Sequence, residues 1–157
     1  MAINNIVDES FIINQKKLKQ FGDRCSNVKI GIMGGTFDPI HYAHLATAEF
    51  IRDNYKLDKI LFIPSGNPPH KKGNITDKYD RYNMVLLSTV NNDDFIVSDI
   101  EIKREKSTYT IDTLKVLKQI YKNAEIYFIT GADAICDIET WKDVEGNFKL
   151  ANFIAAT

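Results

Sequence analysis

The sequence predicts a doubly wound α/β domain, a parallel sheet with helices on both faces. Three observations carry this. The runs "VKIGIM" (28–33), "KILFIP" (59–64), "FIVSDI" (95–100) and "EIYFIT" (125–130) are short and almost continuously apolar, as strands covered on both faces must be. The segments between them repeat apolar residues at helical spacing. The first and fourth runs end on glycine and the second on proline, which stop strands and open loops.

Taken in order, residues 1–27 form an N-terminal extension to the domain at 28–157. Phe11, Ile12, Leu18 and Phe21 suit a short amphipathic helix with Lys16, Lys17 and Lys19 facing water, and a loosely attached extension fits equally well. The first strand closes at Gly34-Gly35, and Leu45, Ala48, Ile51, Asn54 and Tyr55 mark a helix from about residue 41 to 54. Tyr82, Val85, Leu86 and Thr89 mark a second helix, and Leu114, Leu117, Ile120 and Tyr121 a third. Thr110 stands at the expected N-cap of the third, with Asp112 in its first turn where the helix dipole favours an acid. "LANFIAA" (150–156) reads as a fifth strand, expected to lie inside the sheet. Since the sequence given stops at Thr157, the domain is expected to be incomplete at that end.

A chain of 157 residues is long enough to bury a core, and 44% hydrophobic with 26% charged residues is ordinary for a globular protein. The net charge of −1 gives no general basic field, which argues against wholesale nucleic-acid binding, so any anion site must be local. Cys25 and Cys136 form no Cys-x-x-Cys pair, which suggests reduced thiols in a cytoplasmic setting. The N-terminus has no secretory h-region, and no stretch has the apolar length of a membrane span.

The densest chemistry is "GIMGGTFDPIHYAH" (31–44), which holds two of the three histidines. Ligands of open α/β sheets bind beyond the carboxyl ends of the strands, and this segment sits there. Gly34 and Gly35 permit close backbone approach. Asp38-Pro39 announces a helix whose first N–H groups are free to meet an anion. His41 and His44 share a helix face and suit phosphate oxygens. The spacing matches neither Gly-x-Gly-x-x-Gly nor a Walker loop. A zinc site is a competing reading, with Asp38 and the distant His70 as the remaining ligand candidates, and so is a plain turn with two solvated histidines.

As a whole, "GGTFDPIHYAH" resembles the first signature of the nucleotidyltransferase superfamily that carries a His-x-x-His motif, and within it the nicotinate mononucleotide adenylyltransferase branch. The family usually has glycine where Ala43 stands. "PSGNPPHKK" (64–72) is similar to the family's Pro-Pro-His-Lys loop, which places a basic residue, here Lys71, near the nucleotide phosphates. "STYTIDTL" (107–114) is similar to its Ser-Tyr-Thr-x-x-Thr-Leu segment, with Thr108 in place of serine; the resemblance makes Tyr109 and Thr110 pocket residues. "TGADAICDIETWKDV" (130–144) is similar to its Gly-x-Asp segment, placing Gly131 and Asp133 at the ribose and Trp141 on the pyridine ring. Lys142 follows the tryptophan, with a backbone role.

The resemblance implies a Rossmann-like fold of nucleotidyltransferase type and transfer of the adenylyl group of ATP to nicotinate mononucleotide. ATP would meet Gly34, Gly35, Thr36, Phe37, His41, His44, Gly131 and Asp133, with Mg²⁺ carried mostly by phosphates and water. His41, His44 and Lys71 would be the catalytic donors. Family members continue into a Ser-x-Thr-x-x-Arg closing motif, which does not occur in this sequence. Two other readings therefore stand beside the enzyme: a nucleotide-binding fragment without turnover, and another adenylyltransferase such as the pantetheine-phosphate type, against which "STYT" and Trp141 argue.

Overall fold

The computed structural model describes residues 2–22, 26–68 and 73–156. Its elements run α1 (Ala2–Gly22), β1 (Ser26–Gly35), α2 (Tyr42–Tyr55), β2 (Lys59–Pro64), α3 (Lys78–Thr89), β3 (Phe95–Val97), α4 (Thr110–Ile120), β4 (Asn123–Gly131), α5 (Ala132–Cys136), a 3₁₀ turn (Ile138–Thr140), α6 (Val144–Leu150) and β5 (Asn152–Ala156). The strands make one parallel sheet in the order β3-β2-β1-β4-β5. The chain order reverses between β1 and β4, so the crevice at their carboxyl ends is the switch point where such sheets bind ligands. Gly35 closes one of these strands and Gly131 the other.

Alternate strand residues supply two cores. Ile60, Phe62, Phe95 and Val97 pack with Ala48 and Ile51 of α2 and Tyr82, Val85 and Leu86 of α3. Leu61, Ile63, Ile96, Ile30 and Ile32 pack on the opposite face with Leu114 and Leu117 of α4. Helices on both faces explain why the strands read as unbroken apolar runs.

β3 is shorter than the apolar run at 95–100. Ser98 still donates to Phe62 O at 2.9 Å, but Ile100 turns away into a tight loop in which Lys103 N–H reaches Asp99 O and Arg104 N–H reaches Glu101 O. β5 lies at an edge of the described sheet rather than inside it, pairing with β4 alone.

The N-terminal extension departs further from expectation. α1 runs for 21 residues and docks through polar groups. Asn14, 3% exposed, donates Nδ2–H to Val97 O at 2.9 Å and accepts the Val97 N–H at 2.9 Å. One side chain thereby pairs both backbone groups of Val97 in edge strand β3, a vulnerable feature of any open sheet. Lys17, expected in water, donates to the carbonyls of Val90 and Asn92, and burial pulls its ammonium below the usual lysine range. Phe21 does face inward, against Tyr121, whereas Phe11 and Ile12 are exposed. The helix therefore lies with its hydrogen-bonding groups inward.

Candidate nucleotide site

The turn after β1 is shaped by Phe37. Its ring is 4% exposed and packs on Phe62, while its backbone has φ of 50°, a left-handed conformation unusual for a bulky residue. A Cβ on Gly35 would stand 3.2 Å from that ring, so the glycine lets the Phe37 ring fold back beneath the turn.

His41 caps α2 from an extended conformation. Its N–H donates to His44 Nδ1 at 3.2 Å, and the two imidazoles stack with centroids 3.8 Å apart. The edge of Phe37 meets His44 at 5.2 Å. Burial, then the neighbouring His41, hold His44 below its ordinary value, which favours the neutral ring. With Nδ1 accepting, the neutral tautomer carries its proton on Nε2, the nitrogen left to donate to a ligand oxygen. Of the two roles open to His44, hydrogen-bond donor and charge carrier, its surroundings favour the donor. Stacked rings also direct their in-plane lone pairs along near-parallel planes, a poor arrangement for gripping one zinc ion.

Two adjoining cavities collect most of the remaining predicted residues. One, of about 200 Å³, is bounded by Gly34, Gly35 and Thr36 on one side and by Thr108, Thr110 and Trp141 on the other. The second, about 740 Å³, shares Thr108, Thr110 and Trp141 and adds Tyr109, Asp133 and Lys142. The turn after β1, the start of α4 and the segment after β4 thus meet over the switch point. His41 and His44 stand at the start of α2 and do not line either cavity. Lys71 and His70 lie outside the described residues, as does Cys25. Cys136 is free and exposed.

Individual assignments shift. Tyr109, not Thr110, occupies the N-cap of α4; Thr110 is the first helical residue, and Tyr109 O accepts the N–H groups of Asp112 and Thr113. Asp112 does sit in the first turn, where Lys142 Nζ meets its Oδ2 at 3.0 Å. Lys142 also lies 4.7 Å from the centre of the Tyr109 ring, so its side chain, and not only its backbone, ties α4 to the segment after Trp141. Trp141 is half-buried, edge-on to Phe128 and Phe153, and is at once core and cavity wall. Asp133 folds back over Gly131, where a Cβ would stand 2.6 Å from its Oδ1.

Two groups at the site escaped sequence reading. Glu101 is the ionisable side chain lining the smaller cavity among the described residues. Burial raises its carboxyl above the ordinary value, against hydrogen bonds from Thr113 and Thr108 and the charge of Arg104. Thr113 Oγ1 donates to it at 2.7 Å. Arg81, 1% exposed, donates to Thr36 O, Gly66 O and Thr76 O. Neither residue has a local pattern that marks it; a charged residue on an otherwise apolar helix face, as Arg81 is beside Tyr82 and Val85, was the one available signal.

A family model described as cytidylyltransferase-like matches residues 32–157, most of the chain. The chain belongs to the cytidylyltransferase-like family. Among curated relatives, a Thermoanaerobacter protein named "Probable nicotinate-nucleotide adenylyltransferase" is 58% identical over 132 residues, covering 83% of this chain and 63% of the relative. A Desulfitobacterium hafniense protein of the same name is 52% identical over 130 residues, covering 82% and 63%. This chain therefore spans a little under two thirds of the length of those relatives. Of solved structures, the Plasmodium falciparum nicotinic acid mononucleotide adenylyltransferase complexed with NaAD superposes with a TM-score of 0.68 at 25% identity, over 83% of this chain and 75% of that one. The cytidylyltransferase-like assignment agrees with the parallel sheet and its glycine-closed switch point.

Among the described residues no helix is long and apolar enough to cross a membrane, and no three His, Cys, Asp or Glu side chains gather as a metal cage.

Proposed function

We propose that this chain binds ATP and nicotinate mononucleotide and transfers the adenylyl group between them, giving deamido-NAD and pyrophosphate. The observation that carries the reading is the meeting of the Gly34–Thr36 turn with Thr108, Thr110 and Trp141 around one cavity, and the sharing of those last three residues with a second cavity beside it. Relatives at 52–58% identity bearing the nicotinate-nucleotide adenylyltransferase name support it.

A phosphate oxygen of the mononucleotide attacks the α-phosphorus of ATP. The bond from that phosphorus to the bridging oxygen of the β-phosphate breaks, and pyrophosphate leaves with the electron pair. The attacking oxygen is already ionised near neutral pH, so no side chain need remove a proton. The work is to align two polyanions and to hold the charge growing on the α-phosphate and the leaving group.

In this reading the Gly34–Phe37 turn and the first amides of α2 receive the triphosphate, with His41 and neutral His44 donating to its oxygens. Lys71 adds charge from the loop after β2. Gly131 and Asp133 receive the ribose, and Trp141, with Tyr109, Thr110 and Lys142, takes the pyridine ring. Among the described residues no carboxylate cage is present, which suits Mg²⁺, an ion that keeps several waters and would be held mostly by the substrates, neutralising their charge.

The test is formation of deamido-NAD and pyrophosphate with Mg²⁺, beside a His44→Ala control. Product that is lost in the control supports the assignment. A control as active as its parent removes His44 from it.

A further inference from the structure

The Phe37 conformation needs a restraint, and the structure supplies one in Arg81. This guanidinium is almost fully buried, and its hydrogen bonds go to three backbone carbonyls, one in the turn after β1 and two in the loop between β2 and α3. Nη1 donates to Thr36 O at 2.6 Å, Nη2 to Gly66 O at 3.2 Å and Nε to Thr76 O at 2.9 Å. Asp38 and Asp77 supply opposing charge, and the Asp38 carboxylate accepts the Thr76 N–H at 3.0 Å. The segment after β1 and the two ends of the loop between β2 and α3 are thus joined through one side chain.

The Thr36 contact has a directional consequence. In a planar trans peptide the carbonyl and the N–H point opposite ways. With Thr36 O turned to Arg81, the Phe37 N–H is turned away from it. Among the described residues that N–H donates to no other group.

We propose that Arg81 is a positioning residue for the phosphate site: by anchoring the Thr36 carbonyl, it holds Phe37 in its left-handed conformation and presents the Phe37 N–H to the bound polyphosphate. The inference rests on the nucleotide-binding reading above. A lysine cannot replace this fork, because its single ammonium cannot span three carbonyls in fixed directions. None of the three carbonyls that Arg81 holds belongs to Tyr109 or Trp141, on the pyridine side of the site.

The experiment uses the 157-residue chain and two probes, inorganic tripolyphosphate and nicotinate mononucleotide, titrated separately by calorimetry into the parent and Arg81→Lys, with circular dichroism to compare folding. The expected result is tripolyphosphate affinity weakened about tenfold or more, on the scale of one charge-assisted hydrogen bond, with mononucleotide affinity unchanged. A general loss of structure would weaken both. Should Arg81→Lys fail to fold, the ¹⁵N amide spectrum of the parent decides: the Phe37 N–H resonance moves downfield on adding tripolyphosphate. Equal tripolyphosphate affinity in a folded Arg81→Lys, or a Phe37 resonance that stays in place while tripolyphosphate binds, overturns this inference and leaves the proposed function standing. A parent that binds neither probe overturns both.

Discussion

Replacing Asn14 by leucine tests whether α1 is an integral layer of the domain. The asparagine makes two 2.9 Å hydrogen bonds to Val97, and both residues are buried, at 3% and 0% exposure. Leucine would leave the Val97 N–H and C=O without partners. Each such orphan costs about 1–3 kcal/mol. The added apolar surface returns about 1–2 kcal/mol. The net expectation is a loss of roughly 2–4 kcal/mol, which at about 2–4 °C per kcal/mol lowers the melting temperature by roughly 5–15 °C. Thermal and urea unfolding followed by far-UV circular dichroism give the number. Asn14→Asp is an informative companion, because it keeps an acceptor for the Val97 N–H while setting a carboxylate against the Val97 carbonyl; its deficit should shrink as pH falls and the acid protonates. An Asn14→Leu chain within about 0.5 kcal/mol of its parent, the range of ordinary surface changes, would refute the docking argument.

Further expectations concern the site and its supports. His44→Ala should lower adenylyl transfer by about 10²–10³, the usual loss for one donor to developing charge, with steady-state kinetics as the check. Glu101→Gln should flatten the fall of stability with rising pH. Burial raises the Glu101 carboxyl above 4.5 in the folded chain, so from that pH upward the unfolded chain loses its proton first and folding is penalised until the folded group ionises. Urea titrations across that window would show an unchanged slope if the argument fails. Gly66→Ala should destabilise by about 1–3 kcal/mol, as overpacking does, because its new Cβ would run into the backbone oxygen of Glu101; a melting curve identical to the parent's would contradict this. Trp141→Ala should weaken nicotinate mononucleotide binding more than tripolyphosphate binding, which calorimetry separates.

Much of the fold was legible because parallel strands advertise themselves. "KILFIP" is β2 residue for residue, since every position after Lys59 is buried and no polar alternation is needed. The glycine ends of β1 and β4 were legible for the same reason that they matter: backbone must come close there. What sequence periodicity missed were long-range polar debts. Phe11 and Ile12 were expected inside and are exposed, because the orientation of α1 is set by Asn14 and Lys17 seeking the backbone of β3 and the loop before it. Arg81 and Glu101 drew no reading from the sequence, because their burial depends on carbonyls and hydroxyls distant in sequence. Thr110 had the chemistry of a cap, but the chain enters α4 through Tyr109 and places the threonine one residue later. The position of β5 at the described edge followed from strand order, which an apolar run alone does not encode.

The central claim is adenylyl transfer to nicotinate mononucleotide. The most direct measurement mixes the purified chain with ATP, Mg²⁺ and nicotinate mononucleotide and follows deamido-NAD by chromatography and pyrophosphate by a coupled assay. The account predicts both products in equal amounts, with formation suppressed in His44→Ala. A folded chain that binds neither nucleotide and forms neither product would contradict it.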